Sequence, residues 1–246
     1  MKTVLLLALF SITLCLTGYT TRYWDCCKPS CSWTGNAGAG NEALQCDKDM
    51  NPLLDYEARS MCEGGPATTC LSQIPWYEGD VGYAFAATPG GQNSCGNCYK
   101  LTFTGKGKYE TLGCHKKLEG KTLYVMTSNI GWDVSNGQFD IMIPGGGVGA
   151  FNGCNEILGG ASSGAQYGGL LIDCEQEVGW NLSDDEITAK RKTCLINKCN
   201  AAFSNELALK GCLFLAEFME AAGNPFVEYE QVECPAELAA KYKAWI

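Results

Sequence analysis

Polar and apolar residues alternate along Tyr99-Lys100-Leu101-Thr102-Phe103-Thr104, the period of a strand with one buried face. Thr122-Leu123-Tyr124-Val125-Met126-Thr127 is more continuously apolar and predicts a second strand, buried more deeply. A Gly/Asn-rich loop, 128–138, follows it and leads into Phe139-Asp140-Ile141-Met142-Ile143 and the turn 144–149. Residues 32–98 are rich in Gly, Asn, Pro and Cys around short apolar pieces such as 81–88, a pattern of loops and short strands. Residues 184–212 are rich in Ala, Lys, Glu and Leu and predict a largely helical stretch with Ser183 or Asp184 as its N-cap. Phe226–Val232 alternates again as a late strand, and 235–243 predicts a short closing helix. With no repeat, no Ser/Thr/Pro linker and no appended small binding module, the expectation is one mainly β domain with helical trim.

The ends and the cysteines change the picture. Lys2 precedes an apolar run, 4–16, too short to span a bilayer and closed by the small residues Thr17 and Gly18. Residues 1–18 therefore read as a secretory signal peptide and 19–246 as a single exported domain with no separate carbohydrate-binding module. No later stretch is long and apolar enough to cross a membrane. Of the 16 cysteines, Cys15 lies in the leader, which leaves 15, and that density in an exported chain implies a disulfide framework with one thiol left over. A metal site is not expected: Cys95-x-x-Cys98 lacks a second ligand pair, and the single histidine, His115, sits among lysines as a surface-loop residue. A net charge of −9 and a pI near 4.7 argue against nucleic acid and anionic membranes and fit a neutral polymer as partner.

One histidine leaves little room for Ser-His-Asp or Cys-His catalysis, and Gly145-Gly146-Gly147 lacks the Lys-Ser/Thr of a phosphate loop and reads as a tight turn. Carboxylate chemistry remains, and two carboxylates suffice to hydrolyse a glycosidic bond. Asp25 stands in 20–31 beside Tyr23 and Trp24, with half-cystines to fix its backbone. Asp140, flanked by Phe139 and Ile141, has the apolar surround that raises a carboxyl pKa as a proton donor requires. Asp133 lies in a Gly-containing loop able to close over a substrate.

Thr20-Thr21-Arg22-Tyr23-Trp24-Asp25-Cys26-Cys27-Lys28-Pro29-Ser30-Cys31, together with Phe139-Asp140-x-x-x-Pro144-Gly145-Gly146-Gly147-Val148-Gly149-x-Phe151-x-Gly153-Cys154, resembles glycoside hydrolase family 45, the small endo-β-1,4-glucanases. Cys98-Tyr99-x-Leu101-Thr102-Phe103-Thr104, Tyr167-Gly168-Gly169 and Gln231-Val232-x-Cys234-Pro235 extend the resemblance over roughly residues 20–240. It implies a six-stranded double-psi β-barrel with long disulfide-pinned loops and a few helices, crossed by a groove, and hydrolysis of β-glucan with inversion. By the same resemblance Asp25 is the general base, Asp140 the general acid and Asp133 an assisting loop aspartate, with Asp25 and Asp140 strand-borne on opposite walls. Tyr23 matches the aromatic beside the cleavage point, Trp33 a groove-stacking tryptophan, and Lys28 and Tyr167 groove-lining positions. Gln138 departs from the family, which often has His there, and is counted with the substrate-binding residues. The resemblance also pairs Cys26 with Cys154, Cys27 with Cys62, Cys31 with Cys95, Cys46 with Cys70 and Cys98 with Cys234, leaving Cys114, Cys174, Cys194, Cys199 and Cys212 unassigned. It implies no cofactor, no metal, a β-glucan partner and a secreted, extracellular monomer. Xyloglucan or mannan as substrate stays open, and so does non-catalytic binding on the same barrel as in expansins, although expansins lack the base that Asp25 matches.

Overall fold

The computed structural model describes residues 16–157 and 164–245, so the leader to Cys15 lies outside the described residues. Seven strands form one sheet: β1 (Leu16–Tyr23), β2 (Trp76–Glu78), β3 (Val81–Thr88), β4 (Cys98–Gly107), β5 (Thr122–Ile130), β6 (Gln138–Met142) and β7 (Pro225–Val232). The order is β2-β3-β5-β4-β7-β1-β6, and β3 pairs again with β6. That last pairing closes six strands into a ring, with β2 attached to β3 as a short hairpin outside it. Closure leaves the six strands no open edge, so period-two sequences fill the interior, among them Leu101, Phe103, Leu123, Val125, Ile141 and Val227. The expected barrel of six strands is present. Its first strand begins earlier than expected: Leu16–Gly18, placed by the sequence in the leader, pair antiparallel with Val227–Tyr229 of β7.

Two parallel neighbours matter most for function. β1 runs beside β6 with Tyr19 opposite Gln138 and Thr21 opposite Asp140. Side chains alternate across a strand, so Tyr19, Thr21 and Tyr23 share a half-buried face with Gln138 and Asp140, while Thr20, Phe139 and Ile141 are buried. Gly145, Gly146 and Gly147 then make the tight turn that follows β6. A Cβ on Gly146 would stand 2.8 Å from the Tyr23 nitrogen, and the Trp24 N–H donates to the Gly147 carbonyl at 2.7 Å. Glycine here lets the turn after β6 lie directly on the chain leaving β1.

The helices are α1 (Thr34–Ala37), α2 (Gly113–Lys116), α3 (Gly169–Val178), α4 (Asp184–Ala202), α5 (Glu206–Glu217) and α6 (Ala236–Lys243). The stretch 184–212 is two helices rather than one. Ser183 and Glu186 form a capping box at the start of α4, and Asn205 caps α5 by accepting from the Leu207 and Ala208 amides. Cys174–Cys194 joins α3 to α4, and Cys199–Cys212 joins α4 to α5. All five pairings implied by the resemblance are present. Cys114 is the odd thiol, buried in α2. His115 corrects the surface expectation: it is 0% exposed. Its Nδ1 accepts from the Leu112 amide at 3.2 Å, so Nε2 carries the proton and donates to the Gly223 carbonyl at 2.8 Å. Gly107 makes room for the ring, since a Cβ there would stand 2.4 Å from Nε2.

Candidate active site

A cleft of about 540 Å³ opens where β1 and β5 end, against the middle of β6, and Asp25, Asp133 and Asp140 all line it. Asp25 sits just past β1 on a segment fastened from several sides. Cys26–Cys154 and Cys27–Cys62 flank it, Gly153 donates its N–H to the Asp25 carbonyl at 2.8 Å, and Thr68 donates to the Cys26 carbonyl at 2.7 Å. Cys26 holds φ at +58°, the left-handed region that a residue with a Cβ adopts only when its surroundings impose it. The Cys27 amide donates to Asp25 Oδ1 at 2.9 Å and fixes the carboxylate's rotamer. Burial pushes the Asp25 carboxyl up to about 6.

Asp140 comes from β6, the strand next to β1. Asp25 is not strand-borne as expected: it stands on the loop beyond β1, while Asp140 lies within the neighbouring strand β6. Burial, with help from the Asp133 and Asp25 charges, pushes the Asp140 carboxyl up to about 7, against the opposing effects of Thr21 and Arg22. Thr21 donates to Asp140 Oδ1 at 2.6 Å. Behind it the hydrogen bonds run in one direction. Gln138 Nε2 donates to Thr21 Oγ1 at 3.0 Å, which leaves the threonine proton for Asp140. Gln138 Oε1 accepts from the Tyr19 hydroxyl at 2.8 Å and from the Ser135 amide at 3.1 Å. Thr21 thus engages Oδ1 of the carboxylate.

Tyr23 ends β1 two residues before Asp25, its hydroxyl accepting from Asn129 Nδ2 at 3.3 Å. Burial and the Asp25 and Asp140 charges raise its pKa well above the ordinary phenol value, so it stays neutral. Lys28 and Trp33 also line the cleft, but the Lys28 ammonium is committed inward. It donates to the Tyr56 and Ala58 carbonyls at 2.6 and 2.9 Å and lies 3.2 Å from the centre of the Trp33 ring, which backs the indole. Burial lowers the Lys28 pKa to about 8.

Six of the sequence-derived residues therefore meet in one cleft: Tyr23, Asp25, Lys28, Trp33, Asp133 and Asp140. Gln138 lies one hydrogen bond behind, holding Thr21. Tyr167 is 67% exposed outside the cleft lining, on a turn tied to the cleft by Gln166–Gly149 hydrogen bonds of 2.8 Å in both directions. Sequence reasoning gave no role to Thr21, Trp132 or Phe151. The last two were detectable as large aromatics among turn-forming residues, Gly131-Trp132-Asp133 and Gly149-Ala150-Phe151.

The profile described as "Glycosyl hydrolase family 45" matches residues 17–185, more than half of the chain. The chain belongs to glycosyl hydrolase family 45. Among curated family relatives, "Endoglucanase B" of Cellvibrio japonicus is 44% identical over 91% of the chain, and the chain spans only 44% of that protein's length. "Endoglucanase" of the springtail Cryptopygus antarcticus is 36% identical over 97% of the chain and 94% of its own length. The crystal structure of cellulase from that springtail superposes with a TM-score of 0.72 at 34% identity, covering 93% of this chain and 96% of its own.

Proposed function

We propose that this family 45 chain is a secreted endo-β-1,4-glucanase that cleaves internal bonds of cellulose-type glucans with inversion. The observation that carries the reading is the pair of half-buried carboxylates raised to about 6 and about 7 in one aromatic-lined cleft. Asp140, protonated below about 7, gives its proton to the glycosidic oxygen as the bond breaks. Asp25, ionised above about 6, takes a proton from the water that attacks the anomeric carbon from the other face. Asp133, exposed at the cleft rim, adds negative charge where positive charge develops on the sugar. The names of the bacterial and springtail relatives support the substrate class, and the seven disulfides among the described residues support export to an oxidising compartment. Reducing-end release and viscosity loss on carboxymethylcellulose, xyloglucan and mannan in parallel test it. Rapid viscosity loss on the first that Asp25→Asn removes is expected; activity confined to another polymer moves the substrate, and silence on all three from oxidised protein ends the enzymatic reading.

The pH profile checks the assignment of roles. kcat/KM should be bell-shaped, rising through about 6 as Asp25 ionises and falling through about 7 as Asp140 loses its proton. Thr21 stabilises the ionised form of Asp140, so Thr21→Val raises that pKa and moves the alkaline limb up by about 0.5–1 unit. The acid limb stays in place. An alkaline limb that holds still or moves down would detach Asp140 from it.

A further inference from the structure

Trp132 is 97% exposed, yet it lines the catalytic cleft. Tryptophan is among the most buried side chains on average, and an indole left bare inside a cleft has its whole apolar face available to a ligand. Its backbone is not loose. The Val134 amide donates to the Gly131 carbonyl at 3.3 Å, so Trp132 and Asp133 occupy the two corner positions of a single β-turn.

That turn is fastened at both ends. Gly131 donates to the Thr88 carbonyl at 3.2 Å, Ile130 to Ser30 Oγ at 2.6 Å, and Ser135 to Gln138 Oε1 at 3.1 Å. Val134 is buried beneath it, and a Cβ on Gly131 would stand 2.1 Å from the Val134 side chain. On the other side, Phe151, 63% exposed, extends from the turn whose Gly153 amide holds the Asp25 carbonyl. One bare aromatic therefore accompanies the acid's side of the cleft and another the base's side.

We propose that Trp132 is a substrate-positioning residue that stacks on a pyranose ring of the bound glucan, holding the chain against Asp133 and Asp140. The proposal rests on the glucanase reading, which supplies the ligand. A pyranose offers a flat C–H face to an indole while its hydroxyls stay free for the carboxylates at the cleft floor. Because Asp133 shares the turn, stacking on Trp132 fixes the distance between the sugar and Asp133's charge without any change in the barrel.

The test uses the full chain with Asp140→Asn to prevent turnover, titrated with cellopentaose by calorimetry and by tryptophan fluorescence. Adding Trp132→Ala should weaken binding about tenfold, and Trp132→Phe should restore most of the loss. Part of the fluorescence change should vanish in both double variants. Trp132→Ala in the active chain should raise KM for soluble glucan by a similar factor while kcat changes less. Trp132 is exposed, so both variants should melt with the parent, and a Tm within about a degree verifies the fold. Equal affinity with and without Trp132 overturns this proposal alone. A parent Asp140→Asn chain that binds no β-1,4-oligosaccharide overturns it together with the glucanase reading.

Discussion

Asp140→Asn is expected to lower kcat on soluble glucan by about 10³-fold or more while leaving cello-oligosaccharide affinity within about twofold of the native chain. The amide keeps the shape of the carboxyl and can keep its oxygen toward Thr21, so the Gln138–Thr21 chain behind it survives. What is lost is the proton. The same substitution should stabilise the fold at alkaline pH. The native carboxyl is raised from 3.8 to about 7, so its contribution to stability is fully present below pH 4 and is lost as pH rises through 7. Asparagine cannot ionise, and the variant should exceed the native chain at pH 8 by about 2 kcal/mol, less than the full shift because the group is half open to the cleft. At pH 4 the advantage should disappear. Turnover near the native rate would remove Asp140 from the acid role. Thermal melts that differ by the same amount at pH 4 and pH 8 would show that its burial does not penalise the charge.

The barrel strands were legible because each carries a period that its environment demands. β4 alternates because one face meets the interior, and β5 is more evenly apolar because parallel β3 and antiparallel β4 enclose it. β1 was harder, since its first residues continue an apolar run and read as leader, and only the distant partner β7 makes them strand. The break between α4 and α5 turns on one asparagine whose side chain satisfies two amides, a competition that composition averages away. His115 was misplaced for a similar reason. Its sequence neighbours are lysines, but its surroundings are Gly107 and Gly223, brought to it by β4 and by the chain entering β7.

At the site, Asp25 and Asp140 were found through motif and local polarity, because a rigid carboxylate needs its fastening cysteines and turn glycines nearby in sequence. The chain Tyr19–Gln138–Thr21–Asp140 left no such trace. Tyr19 and Gln138 are 119 residues apart and meet only because β1 and β6 are parallel and in register. Trp132 was passed over because an aromatic in a polar loop has no period to mark it. Its significance lies in exposure, which is a property of the folded surface alone.

Replacing Cys26 and Cys154 with serine should cost both stability and catalysis, whereas replacing Cys174 and Cys194 should cost stability only. The first bridge closes a span of 128 residues and the second a span of 20. Loop-closure entropy therefore gives the first the larger effect on the unfolded chain, about 5 kcal/mol against about 3 for the second, or a fall in Tm of roughly 10–20 °C for a chain of this size. The catalytic loss has a separate origin. Cys26 holds its left-handed backbone between this bridge and the Thr68 hydrogen bond, and Asp25 precedes it directly. Without the bridge residue 26 is free to relax from φ +58°, and that relaxation should turn the Asp25 carboxylate out of the position its proposed role as base requires. kcat measured at least 20 °C below the variant's Tm should fall tenfold or more, since a displacement of about 1 Å at a reacting group costs on that scale. The Cys174–Cys194 bridge lies in the helical layer between α3 and α4, away from the cleft lining, and kcat should stay near native when it is removed. Equal fractional losses in the two variants, each matching its unfolded fraction, would mean that the first bridge holds the fold and does nothing further for Asp25.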